Sequence, residues 1–196
     1  MVVVKEKLAK AQATRGVQRA GRSRLDVPTV SLAGYTSSGK TTLFNRLASE
    51  SREVSPSLFT TLSTTTRAVD LQGSKKILLS DTVGFISRLP TYMVESFKST
   101  LEELTYADLV LLMLDASEDE DSMRIKLGSC KEILGQLEVD PDKVLWVLNK
   151  VDLAGEENSR RVQDSLLSGL RSLRISAVRG DGLRQLRNLM AEILYR

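Results

Sequence analysis

The sequence predicts a three-layer α/β domain, with helices on both faces of a mostly parallel, six-stranded sheet and one antiparallel hairpin strand at the sheet edge. Short apolar runs alternate along the chain with stretches of helical periodicity, which is the pattern of a doubly wound sheet. Residues 109–114 are apolar without interruption, as is typical of a strand buried on both faces of a parallel sheet. The length of 196 residues suits one such domain with a short appendage.

The predicted elements follow one another in the order that this sheet requires. Strands are predicted at residues 27–32, 67–71, 75–80, 107–114, 143–148 and 172–176, and helices at 40–49, 91–104, 122–137, 158–167 and 182–194. The Ser/Thr-rich residues 51–66 are predicted to form a loop, and Gln72-Gly73 a hairpin turn. Ligands of such sheets bind at the carboxyl ends of the strands.

Composition excludes several kinds of active site. The sequence holds no histidine, which removes Ser-His and Cys-His nucleophiles and His-ligated metals. Its single cysteine, Cys130, forms no internal disulfide and supplies no multi-cysteine zinc site. The apolar runs are too short for a membrane span or a signal peptide. Catalysis must therefore come from backbone amides, Lys, Thr, carboxylates and a bound ion.

The positive charge is concentrated at one end of the chain. Residues 1–26 hold seven basic and two acidic side chains, whereas the remainder holds 21 basic and 23 acidic ones. We interpret residues 1–26 as a basic linker or helix remnant and residues 27–196 as the functional domain. Such arms are commonly solvated linkers and less often contacts to nucleic acid, and no aromatic side chains are interleaved here to favour the second.

The first chemical motif lies between the first predicted strand and helix. Residues 34–41, Gly-Tyr-Thr-Ser-Ser-Gly-Lys-Thr, match the phosphate-loop pattern G-x-x-x-x-G-K-[ST]. Its glycines let backbone N–H groups surround a phosphate, Lys40 faces the β- and γ-phosphates, and the Thr41 hydroxyl ligates Mg²⁺. The alternative is a Gly-rich turn that binds nothing, which the strand–loop–helix context disfavours.

Three further motifs follow at later strand ends. Asp81-Thr82-Val83-Gly84 fits the D-x-x-G pattern, in which Asp81 holds Mg²⁺ through water and the Gly84 N–H meets the γ-phosphate. Hydrolysis would break the Gly84 contact, so the segment after it can switch. This motif alone is common by chance, and its weight comes from its place after a phosphate loop.

Asn149-Lys150-Val151-Asp152 is an N-K-x-D motif, whose carboxylate accepts hydrogen bonds from guanine N1–H and N2–H₂. Asn149 would brace the base and the loop, and the stem of Lys150 would lie along the base plane. A backbone amide of Ser176-Ala177 can face guanine O6. The four motifs in this order predict a GTPase.

At this point the sequence resembles the translation-factor class of P-loop GTPases, and more narrowly the GTPase domain of the HflX family. The narrower resemblance lies in residues 34–46, in Leu58-Phe59-Thr60-Thr61-Leu62 with Thr65-Thr66-Arg67, and above all in residues 81–103. It covers residue 27 to the C-terminus, and the basic arm resembles the end of the helical segment that precedes this domain. HflX proteins also have an N-terminal domain, so we expect this chain to be a fragment.

The resemblance implies a cytoplasmic, Mg²⁺-dependent GTPase, expected to be a monomer, that binds the large ribosomal subunit and its RNA. It places the segment called switch I at residues 59–63, with Thr61 as a second Mg²⁺ ligand; by chemistry alone Thr60, Thr64, Thr65 and Thr66 are equal candidates. The predicted catalytic residues are Lys40, Thr61 and Gly84, and the predicted metal ligands are Thr41, Thr61 and, through water, Asp81. The predicted nucleotide-binding residues are Gly34, Tyr35, Thr36, Ser37, Ser38, Gly39, Lys40, Thr41, Thr42, Phe59, Thr60, Thr61, Leu62, Ser63, Asp81, Thr82, Val83, Gly84, Asn149, Lys150, Val151, Asp152, Ser176, Ala177 and Val178.

Two positions depart from common patterns. HflX-like loops usually have Asn at the position of Ser37, and in related GTPases that Asn helps to hold an activating potassium ion, so the resemblance does not carry potassium activation to this chain. Phe85 follows Gly84 where many GTPases have a Gln that orients water. A hydrophobic residue there is similar to HflX relatives and leaves the attacking water unassigned.

Three alternatives remain at this stage. One is a nucleotide-sensing binding module in which turnover is incidental, and another is a GTPase of the Obg or Era kind, against which residues 89–103 argue. A nucleotide kinase shares the phosphate loop but has no use for a guanine motif.

Overall fold

The computed structural model describes residues 27–48, 65–71, 75–81 and 101–196. Its strands are β1 Thr29–Gly34, β2 Thr65–Asp70, β3 Lys76–Asp81, β4 Leu109–Asp115, β5 Val144–Asn149 and β6 Ser172–Arg174. Its α-helices are α1 Lys40–Ala48, α2 Glu120–Gln136, α3 Val151–Ala154, α4 Glu156–Leu166 and α5 Leu183–Leu194. Short 3₁₀ turns occupy Glu102–Leu104 and Pro141–Lys143. The basic arm, the hairpin turn, switch I and residues 82–85 lie outside the described residues.

The six strands form one sheet in the order β2-β3-β1-β4-β5-β6. Strands β3, β1, β4, β5 and β6 pair in parallel, and β2 runs antiparallel to β3 at the edge. The predicted fold class is therefore confirmed, including the antiparallel edge strand. Because the parallel strands share one direction, their carboxyl ends open onto the same side of the domain.

Each face of the sheet carries a separate core. Strand β4 is buried on both faces: Val110, Leu112 and Leu114 join the core beneath α2, and Leu109, Leu111 and Met113 join the core beneath α1 and α5. The first core receives Met123 and Leu127, and the second receives Phe44 and Leu186. This double burial explains why residues 109–114 are continuously apolar, and it makes three layers.

Three predicted elements differ from the observed ones. Thr65 and Thr66, predicted to lie in a loop, form the start of β2, where they pair with Asp81 and Ser80, and the Thr66 and Ser80 hydroxyls lie 3.0 Å apart. β-branched side chains suit such cross-strand pairs, and the Ser/Thr composition hid them.

The helix predicted at 158–167 is α4, and it begins earlier and follows a separate turn, α3. Gly155 divides the two helices: its φ is +80° and its N–H donates to the Val151 carbonyl. Of the helix predicted at 91–104, the described end at Glu102–Leu104 is a 3₁₀ turn.

None of the described helices is both long enough and apolar enough to cross a membrane.

Candidate nucleotide-binding site

The phosphate loop, residues 34–41, connects β1 to α1 at the carboxyl edge of the sheet. Gly34 has φ +135°, and a Cβ atom there would lie 2.3 Å from the Met113 carbonyl oxygen, so only glycine lets the loop leave β1 against β4. Ser38 closes the loop on itself, because its Oγ donates to the Tyr35 carbonyl at 2.8 Å. Ser37 is exposed with φ +63°, a left-handed conformation that is uncommon for serine.

Lys40 is buried within this loop, with 7% of its surface exposed. Its Nζ donates to the carbonyls of Gly34 (3.1 Å) and Tyr35 (2.8 Å). Burial lowers the pKa of Lys40 to about 8, although the nearby Asp81 carboxylate raises it. The Lys40 ammonium is therefore held by uncharged carbonyl groups. Negatively charged phosphate oxygens nearby would favour the ammonium over the neutral amine.

Thr41 and Asp81 meet although 40 residues separate them. The Thr41 hydroxyl, from the first turn of α1, donates to Asp81 Oδ2 at the end of β3 at 2.9 Å. A hydroxyl and a carboxylate are hard oxygen donors of the kind that Mg²⁺ prefers. The described residues contain no cluster of three or more acidic, His or Cys side chains that could hold a metal ion.

Asn149 connects the phosphate loop to the segment 176–178, here called the guanine loop. Its Nδ2 donates to the Ser38 carbonyl at 2.8 Å, and its Oδ1 accepts from the Ala177 N–H at 3.0 Å. Only 2% of Asn149 is exposed. One buried side chain thus satisfies backbone groups of two loops, so each loop fixes the place of the other.

Gly39 makes room for that amide. Its φ is +95°, and a Cβ atom there would lie 2.2 Å from Asn149 Nδ2. The second glycine of the motif is therefore required by a side chain from β5 as well as by its own backbone conformation.

We predict that Gly39→Ala lowers the free energy of unfolding by about 1–3 kcal/mol, because the variant must hold a strained φ and displace Asn149. Its GDP affinity should fall more than about tenfold, since Asn149 sets both loops. The matched control is Gly128→Ala in α2, where no atom lies within 4 Å of an added Cβ. That change should stabilise the helix by about 0.5–1 kcal/mol. Thermal unfolding and GDP titration check both variants, and wild-type GDP affinity in Gly39→Ala would contradict the prediction.

Lys150 is held by Asp115, which belongs to none of the predicted motifs. Its φ is +65°, and its Nζ forms an ion pair with Asp115 Oδ2 at 2.5 Å. Asp115 ends β4 directly beside Asn149 in the sheet register. The sequence did contain a signal for Asp115, because this carboxylate ends the buried strand that neighbours the one before Lys150.

Asp152 lies in α3 and offers an unused acceptor. Its Oδ1 is buried and has no hydrogen-bond partner among the described residues. Buried acceptors in proteins are nearly always paired, so this oxygen suits a ligand that brings N–H donors.

The guanine loop uses most of its amides internally. Ser176 N–H donates to the Asp181 carbonyl, and the N–H groups of Arg179 and Gly180 donate to Ser176. With Ala177 N–H on Asn149, the Val178 amide is the one in this loop that lacks an acceptor among the described residues. The Ser176 and Ala177 amides, predicted to face guanine O6, are therefore both already engaged within the protein.

The remaining predicted residues fall into two groups. Thr36, Thr42 and Val151 are half-buried, in the phosphate loop, α1 and α3, respectively. Phe59, Thr60, Thr61, Leu62, Ser63, Thr82, Val83 and Gly84 lie outside the described part of the chain. Of the threonines that compete with Thr61, Thr65 and Thr66 are in β2.

A family of known proteins matches the part of the chain that carries the phosphate loop. The model of a family described as "50S ribosome-binding GTPase" matches residues 29–150, which is more than half of the chain. The chain belongs to the 50S ribosome-binding GTPases. The match runs from β1 through the phosphate loop to the start of the guanine motif.

Within the 50S ribosome-binding GTPases, the sequence is similar to HflX proteins. It is 44% identical to the GTPase HflX of Methanocaldococcus jannaschii over 167 residues, covering 85% of this chain and 40% of that protein. The GTPase HflX of Lacrimispora saccharolytica is 38% identical over 192 residues, covering 98% of this chain and 44% of that one. The predicted resemblance is confirmed, and the chain spans about two fifths of the length of these relatives.

Solved structures show the same fold. A GTP-binding protein from Sulfolobus solfataricus in complex with GDP has a TM-score of 0.71 at 29% identity, covering 96% of this chain and 58% of that one. A variant of Era from Aquifex aeolicus, bound to GDP.AlF4-, has a TM-score of 0.74 at 25% identity, with 87% and 57% covered. The fold is shared with Era, but the higher sequence identity is to HflX.

Proposed function

We propose that this chain binds GTP and GDP, hydrolyses GTP to GDP and phosphate with Mg²⁺, and acts as a switch that associates with the large ribosomal subunit. The observation that carries this proposal is the Asn149 bridge, which joins the phosphate loop to the guanine loop, together with the unused Oδ1 acceptor of Asp152. A phosphate-binding motif and a guanine-specific carboxylate are thereby held in one site. Membership of the 50S ribosome-binding GTPases supports the same conclusion.

The roles of the residues follow from their chemistry. Backbone N–H groups of the phosphate loop and the N-terminus of α1 attract phosphate, and Lys40 adds a charge to the β- and γ-phosphates. Asp152 accepts from guanine N1–H and the 2-amino group, while adenine lacks both donors in that arrangement. Asp115 keeps Lys150 in place beside the base by its ion pair.

Thr41 and Asp81 are the described residues that would hold Mg²⁺, with Thr61 added from switch I when GTP is bound. The ion supplies positive charge to the phosphate oxygens. Within the chain, Thr41 would give a hydroxyl oxygen to the ion, and the Asp81 carboxylate would accept hydrogen bonds from its water. Their 2.9 Å contact shows that α1 and β3 already bring the two side chains together.

The chain offers few groups for orienting the attacking water. It holds no histidine, and Phe85 follows Gly84 in place of a water-orienting Gln. We therefore expect GTP to persist until a partner orders the switches or supplies a charged group. We propose the large ribosomal subunit, in the cytoplasm, as that partner, and the family description "50S ribosome-binding GTPase" supports this choice.

The test is phosphate release in single-turnover and multiple-turnover assays, with and without purified ribosomal subunits. Intrinsic hydrolysis should be on the order of 10⁻³ s⁻¹ or slower, as in switch GTPases without a supplied arginine. Phe85→Ala should remain within a few-fold of the wild-type intrinsic rate, because an apolar ring cannot replace the missing Gln. A fast intrinsic rate that collapses in Phe85→Ala would overturn this mechanism, and binding without any turnover would favour the nucleotide sensor.

Ribosome association has its own readout. Co-sedimentation with large subunits should be sensitive to salt if residues 1–26 contribute, because each phosphate contact releases counterions. Removal of these residues should reduce the salt dependence and leave GDP affinity unchanged. Because the relatives are more than twice as long as this chain, a longer protein containing this domain should be assayed in parallel.

We predict that Thr61→Ala spares GDP affinity and weakens the GTP-bound state, because this ligand is engaged only when the γ-phosphate is present. Titration with GDP and with a non-hydrolysable GTP analogue measures the two affinities separately. Thr60→Ala and Thr64→Ala test the neighbouring threonines, and neither should lose the analogue selectively as Thr61→Ala does. If Thr60→Ala or Thr64→Ala loses affinity for the GTP analogue while Thr61→Ala retains it, the register assigned to switch I is wrong.

A further inference from the structure

Arg46 connects the helix of the phosphate loop to the guanine loop. It lies in the last turn of α1, and its Nε donates to the Ala177 carbonyl at 3.2 Å. Its Nη2 donates to the next carbonyl, that of Val178, at 2.6 Å. One guanidinium therefore holds two successive peptide groups of the loop.

The guanine loop, besides its internal hydrogen bonds, gains two from Arg46. Strand β6, which precedes it, is only three residues long and pairs with β5 alone. Val178 has 66% of its surface exposed, so its own side chain does not anchor it. The Ala177 peptide is held on one side by Asn149, through its N–H, and on the other by Arg46, through its carbonyl.

The hydrogen bonds from Arg46 also orient the Val178 N–H. The Ala177 carbonyl shares its peptide plane with the Val178 N–H, the amide without an acceptor among the described residues. The plane of a peptide is rigid, so a donor that fixes the carbonyl also fixes the direction of that N–H. Arg46 thereby sets where this part of the loop can donate a hydrogen bond.

We propose that Arg46 is a positioning residue for guanine recognition, which fixes the Ala177–Val178 peptide so that the Val178 N–H can donate to the 6-oxo group of the base. The inference rests on the proposed function, because it requires a guanine nucleotide in the site. It makes base recognition depend on α1, the helix whose first turn holds Lys40 and Thr41. Base and phosphate binding would then be coupled through one side chain.

The test compares GDP with 6-thio-GDP, in which sulfur, a weak acceptor, replaces the 6-oxo oxygen while the N1–H and 2-amino groups remain. Arg46→Met keeps the aliphatic stem and removes both hydrogen bonds. We expect GDP affinity to fall about tenfold and 6-thio-GDP affinity to change less than about threefold, so that the preference for GDP shrinks. Arg46→Lys, which can make one of the two contacts, should fall between wild type and Arg46→Met.

The matched control is Arg187→Met. Arg187, on α5, also donates to two backbone carbonyls, those of Asp70 (2.5 Å) and Leu47 (3.3 Å), and neither belongs to the predicted site. Its loss should lower the Tm without changing the preference for GDP over 6-thio-GDP. This control separates the loss of a bridging arginine in general from the loss of the one on the guanine loop.

The outcomes are distinct. If Arg46→Met weakens both nucleotides by the same factor, or weakens neither, the positioning role is overturned while the proposed function stands. If the wild-type chain binds no guanine nucleotide, the proposed function fails and this inference fails with it. If Arg46→Met does not fold, the same comparison in Arg46→Lys decides between these results.

Discussion

Lys40→Ala should cost more than about 3 kcal/mol in GTP affinity or in the activation barrier, the largest effect we expect from one substitution. Lys40 Nζ is buried and donates to the carbonyls of Gly34 and Tyr35, so its charge is desolvated at the place where we propose that phosphate binds. Titration with GTP and single-turnover hydrolysis give the two parts of the loss.

The control for Lys40 is another lysine close to the loop. Lys126 lies 5.4 Å from the centre of the Tyr35 ring, but it is partly exposed and paired with Glu118. Lys126→Ala should leave nucleotide affinity within about threefold of wild type, because a screened surface pair contributes little. A comparable loss in both variants would show that general positive charge, and not Lys40, binds the phosphates.

The lowered pKa of Lys40 adds a pH dependence to this prediction. The pKa of Lys40 in the nucleotide-free protein is about 8, and a bound phosphate favours the charged ammonium form. GDP affinity should therefore weaken as the pH rises above about 8. Lys40→Arg keeps its charge and should lack this dependence. The free energy of unfolding should change with pH in the opposite direction. Below about pH 8 the buried ammonium of Lys40 lowers stability by its full amount, and this loss shrinks as the pH rises towards 10.5, the pKa of lysine in the unfolded chain.

Asp152→Asn should reverse the base preference from GTP to xanthosine triphosphate. The carboxylate accepts from the 2-amino group of guanine, whereas an amide can donate to the 2-oxo group that replaces it in xanthine. We expect the ratio of the two affinities to change on the order of 10³-fold or more, since unmatched polar groups in such a site are costly. Competition binding of the two triphosphates measures this ratio directly.

Asp115→Asn is the matched control for Asp152. It also converts a carboxylate to an amide next to the guanine motif, but Asp115 pairs with Lys150 and has no assigned contact with the base. We expect weaker binding of both triphosphates with the preference for GTP retained. If Asp152→Asn keeps its preference for GTP, Asp152 is not the residue that recognises the base.

The features that could be predicted from the sequence are those determined by a local pattern of residues. The apolar run of β4, the alternation of strands and helices, and the phosphate loop between β1 and α1 all depend on neighbours in the chain, and each is where it was expected. Strand ends shifted by a residue or two, because the ladder partner decides where a strand stops. The pairing of Thr65 and Thr66 with β3 is such a case.

The contacts that complete the site were not predictable in this way. Asp115 matters because β4 and β5 are adjacent in register, and Arg46 because α1 lies near the loop after β6, 131 residues away in sequence. The phosphate-loop motif alone accounts for Gly39 by the conformation of the loop, whereas the structure shows that the Asn149 side chain also leaves no room for a Cβ atom there. Spacing identifies motifs, whereas tertiary packing decides which other side chains hold them.

The Asn149 bridge also has a consequence for biosynthesis, because Asn149 lies 111 residues after Ser38, its partner in the phosphate loop. As the polypeptide is made, the phosphate loop emerges long before β5 and the guanine loop, so a nascent chain exposes a half-built pocket without base selectivity. Only when residue 178 has left the exit tunnel can Asn149 join both loops. Pairings between distant segments slow folding, so nucleotide should be acquired late, after the last strand has docked.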